Sequence, residues 1–410
     1  MRTGHRVLAL LACLFLLAGG LVARTSAAQP HRDAEKDWQL RVNSTARLIA
    51  GLAPTHPDHR ALAEWPEWKA HSAKLRASWA WLQKRQIAPL TAWRNAAMPR
   101  VCPVGNTLLY PFSGPDFFNA YWLFPNCETY VLFGLEPIGT PPAIEKMSEE
   151  QLTRLLIAVR EAMANLLARN YFVTSKMDKQ MQAEELNGVV PIVMISMALA
   201  GVEILSITPL RLAPPRKAKS AENSGSTARP RRKLKGVSIV FRRPGSPVPQ
   251  RLDYFSADAS NAGMVRYPQF RDYLRRLAPT TTLIKSASYL LHMSEFRKIR
   301  NVLLDVSGFL VQDDTGVPYS VLTKRGWQLS VYGRYQVPIP PFERHYQPDL
   351  AEAYEVQNPP SLSFRFGYRR RFSDDRSHVM IAERTMLHRL GSDKDAKGDP
   401  RTPVQAQRGW

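Results

Sequence analysis

Residues 106–139, NTLLYPFSGPDFFNAYWLFPNCETYVLFGLEPIG, restrict the fold more than any other stretch of the chain. Residues 107–110 form a short apolar run closed by Pro111, and residues 130–135 form a second, closed by Pro137. Short apolar runs bounded by Gly and Pro suit strands buried on both faces, and a helix between two of them makes a βαβ unit. A right-handed crossover puts Ser113, Gly114, Pro115 and Asp116 at the same carboxyl edge as Glu136. Open α/β sheets bind ligands at that edge, so the sequence says where a site would be before it says what the site does.

The rest of the chain extends this pattern. Ser148, Glu149, Glu150 and Gln151 read as a capping box opening a helix, with Leu152, Leu155, Leu156, Val159, Met163, Leu166 and Leu167 at helical spacing. The apolar run 189–200 predicts a core helix leading through Gly201 into a strand at 203–207, and so continues the α/β alternation. Val237, Ile239 and Phe241 alternate with polar neighbours as a strand does, and 251–255 predicts another after a hairpin-like separator. Residues 268–277 read as a short basic helix. Residues 281–285 read as a strand running into Ser286, Ala287, Ser288 and Tyr289, with a helix from there to Leu304. Residues 309–311 are one more strand, ending in Gln312, Asp313, Asp314, Thr315 and Gly316. From Trp327 the period becomes two (Trp327, Leu329, Val331, then Leu362, Phe364, Phe366, Tyr368), which predicts antiparallel strands. The expected fold is α/β: a Rossmann-like, mostly parallel sheet with flanking helices, an N-terminal helical segment and antiparallel strands near the C-terminus.

The ends carry different signals. Arg2 and Arg6 precede an apolar run over 7–23, and Ser26, Ala27 and Ala28 offer small residues for cleavage, so residues 1–28 read as a signal peptide. Leu10, Leu11, Ala12 and Cys13 resemble a lipobox, which makes a lipoprotein the second choice. A secreted or periplasmic location follows, with no transmembrane span in the mature chain. Residues 33–100 read as a helical segment with Trp65, Trp68, Trp79, Trp81 and Trp93; Trp68, Leu75, Trp79 and Leu82 share a face, and a stripe of this kind packs against a core more often than it forms a carbohydrate platform. The α/β domain is expected over 101–372. Within it, residues 213–235 hold eight Lys or Arg against one acid and little to bury, which predicts a disordered basic insertion. Residues 373–410 read as a disordered tail, apart from a helical turn near 380–390.

The formal net charge is +21, and removal of residues 1–28 lowers it by three, through Arg2, Arg6 and Arg24. An exported protein this basic suits an anionic envelope component, although solubility alone explains the charge as well. No aromatics are interleaved in the basic insertion for base stacking, so no specific nucleic-acid recognition is expected.

Removal of residues 1–28 also takes Cys13 and leaves Cys102 and Cys127, in a compartment where thiols oxidise. Each precedes one strand of the βαβ unit. If those strands are parallel neighbours, both cysteines lie at the amino edge of the sheet and can bond, the alternative being two buried thiols.

The segments YPFSGPD, GLEPIG, IKSASYLLH and QDDTGVPY resemble those of a family of uncharacterised secreted bacterial proteins, over roughly 93–368. That resemblance implies export and brings no activity with it. Ser113, Gly114 and Asp116 followed by Glu136 also resemble the nucleotide site of Rossmann-like methyltransferases. However, G-x-G-x-x-G is absent and Pro115 removes a backbone donor, so no cofactor is assigned. Asp314, Thr315 and Gly316 match the short signature of aspartic proteases in a single copy. Asp313 and Asp314 otherwise form a turn, or join Asp116 and Glu136 as oxygen ligands of a hard cation. No H-E-x-x-H motif or Cys/His cluster for a metal is present. Ser113, Ser286 or Ser288 with His292 offers a nucleophile and a base, Ser288 and His292 being read as an i,i+4 pair on one helix.

The candidate ligand-binding residues are thus Ser113, Gly114, Asp116, Glu136, Lys285, Ser286, Asp313 and Asp314. Gly114-Pro115 and Gly316 equally well only turn the chain, with Asp116 capping the helix after it. Two functions follow: an exported envelope protein binding a polar or anionic ligand at this edge, or a hydrolase or transferase using the carboxylates of the same cleft.

Overall fold

The structure, a computed structural model, describes residues 28–99, 102, 106–171, 186–214, 233–368 and 377–384. The expected leader, apart from Ala28, lies outside the described residues, as do most of the basic insertion and most of the tail.

One nine-stranded sheet organises the described chain. Its strands are β1 (Thr107–Pro111), β2 (Thr129–Gly134), β3 (Glu203–Leu212), β4 (Leu234–Arg242), β5 (Gln250–Ser256), β6 (Thr280–Ile284), β7 (Ser307–Gln312), β8 (Trp327–Gly333) and β9 (His378–Arg384). Their order is β3-β4-β5-β2-β1-β6-β7-β9-β8. The middle run β5-β2-β1-β6-β7 is parallel throughout, while β3, β4, β8 and β9 join by antiparallel pairing. From β1 the chain passes to β2 and then, from β3 at the edge, back inward through β4 to β5 on one side, and later through β6 to β7 on the other. The strand order therefore reverses between β1 and β6. In open α/β sheets that reversal leaves a crevice at the carboxyl ends of the two strands.

Period-two burial divides the sheet between two cores. Leu108, Tyr110, Tyr130, Leu132, Phe309, Val311, Val379 and Ile381 face one core, with the helices Glu149–Arg169 and Val189–Leu199 and the N-terminal helices. Leu109, Val131, Phe133, Leu310, Met380 and Ala382 face the other, with the helices Pro268–Arg276, Arg297–Val306 and Pro348–Gln357. The result is a three-layer α/β/α arrangement, as expected from strands that alternate with helices.

Local chemistry explains the helix boundaries that place the site. Ser148 and Gln151 form the expected capping box on Glu149–Arg169, and that helix ends at Asn170 in the left-handed conformation. Asp116 caps Phe117–Leu123 by accepting the Asn119 N–H. The helix Pro66–Leu82 continues through a π turn, Gln83–Ile87, into Ala88–Ala97. Pro89 has no N–H to donate back to the preceding turn, and the helical ladder resets there. Trp65, Trp68, Trp79 and Trp93 pack against the core, whereas Trp38 and Trp81 are exposed. Trp68 is buried, Trp79 meets Phe118 edge-on with ring centroids 6.0 Å apart, and Trp93 meets Tyr332 and Phe364 at 5.4 and 5.3 Å.

Cys102 and Cys127 are disulfide-bonded, with Cα atoms 5.3 Å apart. Among the described residues no helix is long and apolar enough to cross a membrane.

Four expectations need correction. The strand after Gly201 does not continue the parallel alternation; β3 is an edge strand paired only with β4, antiparallel to it. The helix expected from Ser286 to Leu304 begins only at Arg297, because Ser286, Ser288 and Tyr289 all have positive φ and the chain between makes 3-10 turns. Residues 362–368 alternate in burial as an antiparallel strand would, yet form none. The last strand is instead β9, in the stretch read as a disordered tail with a helical turn; it lies between β7 and β8 with Val379, Met380, Ile381 and Ala382 all buried. The α/β sheet thus extends beyond the expected boundary at 372 and takes in His378–Arg384.

Candidate functional site

Because β1, β2, β6 and β7 are parallel, the loops after them share one edge, and all eight candidate residues lie there. They divide into three groups.

The first group lies over β1, β2 and β5. Glu136 is buried, its backbone carbonyl accepts the Tyr254 hydroxyl at 3.0 Å, and its Oε2 lies 3.4 Å from the same hydroxyl. Its carboxylate fills space left by two glycines. A Cβ at Gly114, whose φ is +51°, would stand 3.0 Å from Glu136 Oε1, and one at Gly134 would stand 2.2 Å from Oε2. Ser113 donates its N–H to the Phe133 carbonyl at 3.1 Å and so ties this loop to β2.

The second group lies at the reversal between β1 and β6. Asp116 is buried; it accepts the Tyr110 hydroxyl at 2.8 Å, the Asn119 N–H at 3.1 Å and the Asn119 amide at 3.0 Å. Lys285 is also buried and donates to the Asn170 carbonyl, and its ammonium stands 5.9 Å over the Phe366 ring. Burial pulls the Lys285 pKa down, against the attraction of Asp116 and Asp313, which pushes it up. Asp313 accepts the Ser286 N–H at 2.8 Å and the Thr315 N–H at 3.0 Å. Burial first, and the adjacent Asp314 second, raise the Asp313 pKa.

The third group is built on Asp314. His378 Nε2 lies 3.0 Å from Asp314 Oδ1 and 3.1 Å from the Asp314 backbone nitrogen. A proton on Nε2 is donated to the carboxylate, while a bare Nε2 accepts the amide, so the contact depends on the protonation of the ring. The Tyr289 hydroxyl donates to Asp314 Oδ2, and burial and this carboxylate together raise the Tyr289 pKa far above the phenol range. His292 Nε2 and the Gln347 amide meet the Asp314 carbonyl at 3.2 and 3.0 Å. A small cleft of about 20 Å³ opens here, lined among others by Tyr289, Asp314, Arg334, Tyr335, Tyr368 and His378. Aromatic rings continue beside it: His345 stacks on Tyr289 at 4.8 Å, and Phe342 stacks on Tyr368 at 5.5 Å.

The candidates therefore share an edge but not a cleft. Of the eight, Asp314 alone lines this one, and Asp116 and Glu136 are engaged elsewhere. The Ser288 and His292 pairing is not formed; Ser288 Oγ lies 3.0 Å from the Tyr368 hydroxyl, and His292 lies on the Asp314 carbonyl. Among the described residues no group of three His, Cys, Asp or Glu is placed to hold a metal ion. His378, Tyr289, Tyr335 and Tyr368 were not among the sequence candidates. The apolar run at 379–382 was the available signal for His378, since a strand there puts its first residue at the carboxyl end of β7.

A Ser–His–Glu constellation also stands away from this edge. Ser44 Oγ lies 2.9 Å from His59 Nδ1, and His59 Nε2 lies 2.8 Å from Glu145 Oε1. Ser44 Oγ already accepts the Thr55 and His56 N–H groups at 3.0 and 2.9 Å. Both its lone pairs are taken and the residue is fully buried, so the hydroxyl pins a loop and is not available as a nucleophile.

No family model, curated protein or solved structure matches the chain.

Proposed function

We propose that this is an exported envelope protein that binds a hydroxyl-rich ligand at the carboxyl edge of its sheet, with a hydroxyl group of the ligand entering the small cleft of Asp314 and His378. The observation that carries this reading is the pairing of Asp314 with His378 at 3.0 Å in a cleft also lined by three tyrosines. A carboxylate, an imidazole and phenols offer both donors and acceptors to hydroxyl groups, and ring faces give an apolar wall. Arg334 lines the cleft beside Asp314, so side chains of both charge types face it. Resemblance to a secreted family and the apolar N-terminal run support export, and the Cys102–Cys127 bond fits an oxidising compartment.

The alternative is a hydrolase in which His378 acts as base and Asp314 orients it, a pairing common to such sites. A thermal-shift screen separates the readings at the first step. Monosaccharides, short oligosaccharides and polyols should raise the melting temperature, with phosphate and acetate as anionic controls. Stabilisation without turnover supports binding. Hydrolysis of chromogenic esters or glycosides that is lost in His378→Ala supports the alternative.

A further inference from the structure

A groove of about 450 Å³ lies away from the Asp314 cleft, between the helix Ala28–Ile49 and the turn that joins the helix Val189–Leu199 to β3. Small residues leave this space: Ala46 and Ala198 are buried in its lining beside Val202, and Gly201 has no side chain to fill it. The helix is fastened across the gap by bonds to the main chain of β3. Asn43 donates its amide to the Ile204 carbonyl and accepts the Ile204 N–H, both at 2.8 Å, and Gln39 donates to the Leu205 carbonyl at 3.1 Å. β3 has no strand on this side, and these two side chains stand in for one. The groove is therefore preformed, and its size falls within the range of small-molecule sites.

Lys36, Leu40, Asn43 and Arg47 follow one another at i, i+4, i+7 and i+11, so they form one stripe of the helix along the groove. Asn43 is spent on β3, and Arg47 donates its Nε–H to the Ala53 carbonyl at 2.8 Å, which leaves the rest of the guanidinium. The two cations stand about 16 Å apart along the helix, three turns. Neither pairs with an acid among the described residues. Asp37 and Asp58 are held by Arg41 at 2.7 and 2.8 Å, and Glu203, the one acid in the lining, by Arg242 at 2.7 Å. Leu40, between the two cations, is 55% exposed. The groove thus offers an apolar stretch with positive charge at each end. The neighbouring chain supplies no occupant of complementary charge: residues 1–27 hold three arginines and no acid, and residues 215–232 hold six Lys or Arg and one acid.

We propose that this groove binds a single-chain anionic amphiphile, a fatty-acid carboxylate, with the acyl chain along Leu40, Ala46, Ala198 and Val202 and the carboxylate at Lys36 or Arg47. Burial of the acyl chain supplies the affinity, and a charge-assisted hydrogen bond selects the head group. The groove shares no residue with the Asp314 cleft, and its occupancy does not depend on the ligand there.

Calorimetric titration of the purified chain with dodecanoate, below its aggregation concentration, tests this. Dodecyltrimethylammonium and dodecyl maltoside carry the same tail on a cationic and a neutral head. The expected result is saturable one-site binding of dodecanoate, about tenfold or more tighter than either comparator. Lys36→Glu combined with Arg47→Gln should weaken dodecanoate by about tenfold or more. Leu40→Asp should weaken it too, and since Leu40 is exposed this variant keeps the test open if loss of the Arg47 bond to Ala53 disturbs the fold. No binding of dodecanoate, equal affinity for the three heads, or affinity unchanged in these variants would overturn the proposal. Binding to vesicles of anionic phospholipid without binding of monomeric dodecanoate would also overturn it and make this face a membrane contact. A dimer that dissociates in Leu40→Asp and ignores dodecanoate would do the same in favour of a second copy.

Discussion

Gln86 and Arg365, 279 residues apart, are joined as two strands would be: the Gln86 side-chain amide donates to the Arg365 carbonyl and accepts its N–H, both at 2.8 Å. A helix thereby supplies the hydrogen bonds that a neighbouring strand would otherwise give, and the segment ending at Tyr368 is fixed across the site without joining the sheet. Gln86→Ala removes both bonds; the Arg365 carbonyl keeps Asn170, while the Arg365 N–H is left to be satisfied elsewhere. The expected cost is about 2–3 kcal/mol in urea unfolding. A change below about 0.5 kcal/mol would mean that the pair contributes nothing to stability.

The Ser44 cluster should behave as structure and not as chemistry. Ser44→Ala leaves the Thr55 and His56 N–H groups and His59 without their common partner and should destabilise by roughly 2–3 kcal/mol. Ligand binding or turnover in the folded fraction should stay at the wild-type level. Loss of turnover with unchanged stability would instead make Ser44 a nucleophile.

Acid sensitivity follows from two histidines. Burial lowers His71 from 6.5 to about 4, and burial followed by repulsion from His345 lowers His292 to about 4. In the unfolded chain both titrate near 6.5. Between pH 6.5 and 4 the unfolded state therefore binds more protons, and stability falls as pH falls through that window. His71 alone accounts for up to about 3 kcal/mol, and the half-buried His292 for less. Urea melts at pH 7.0 and 4.5 check this, since His71→Gln should flatten the difference. An unchanged slope in that variant would rule His71 out as the cause.

The disulfide should stabilise by roughly 3 kcal/mol, the chain-entropy value for a loop of this length. Melting of Cys102→Ser beside wild type, under non-reducing conditions, measures it. Equal melting temperatures would show that the reduced chain already holds the two segments together.

Much of this fold was legible because its strongest signals are local. The runs at 107–110 and 130–135 have the pattern of doubly buried strands, and each pairs in register with the other as Thr107 with Thr129 through Pro111 with Phe133. The Ser148 box and the place of Asp116 at a helix start could be read for the same reason. What could not be read depends on distant partners. His378–Arg384 is a strand only because β7 and β8 supply hydrogen bonds on both sides. Residues 362–368 have a strand's burial period, but Gln86 and Asn170 take the places of strand neighbours, and no local pattern distinguishes the two.

The site was legible in part for the same reason. Strand ends put Asp116, Glu136, Lys285, Asp313 and Asp314 on one edge. Which acid opens to a cleft depends on the positive-φ turn at Ser286, Ser288 and Tyr289, and on His378 arriving from β9.

The central claim is that Asp314 and His378 bind a hydroxyl-rich ligand. Calorimetric titration of the most stabilising saccharide or polyol into wild type, His378→Ala and the isosteric Asp314→Asn tests it most directly. The account predicts saturable one-site binding to wild type, weakened at least tenfold in both variants, each melting within a few degrees of wild type. Affinity unchanged in folded variants, or no saccharide or polyol binding the wild-type chain, would contradict it.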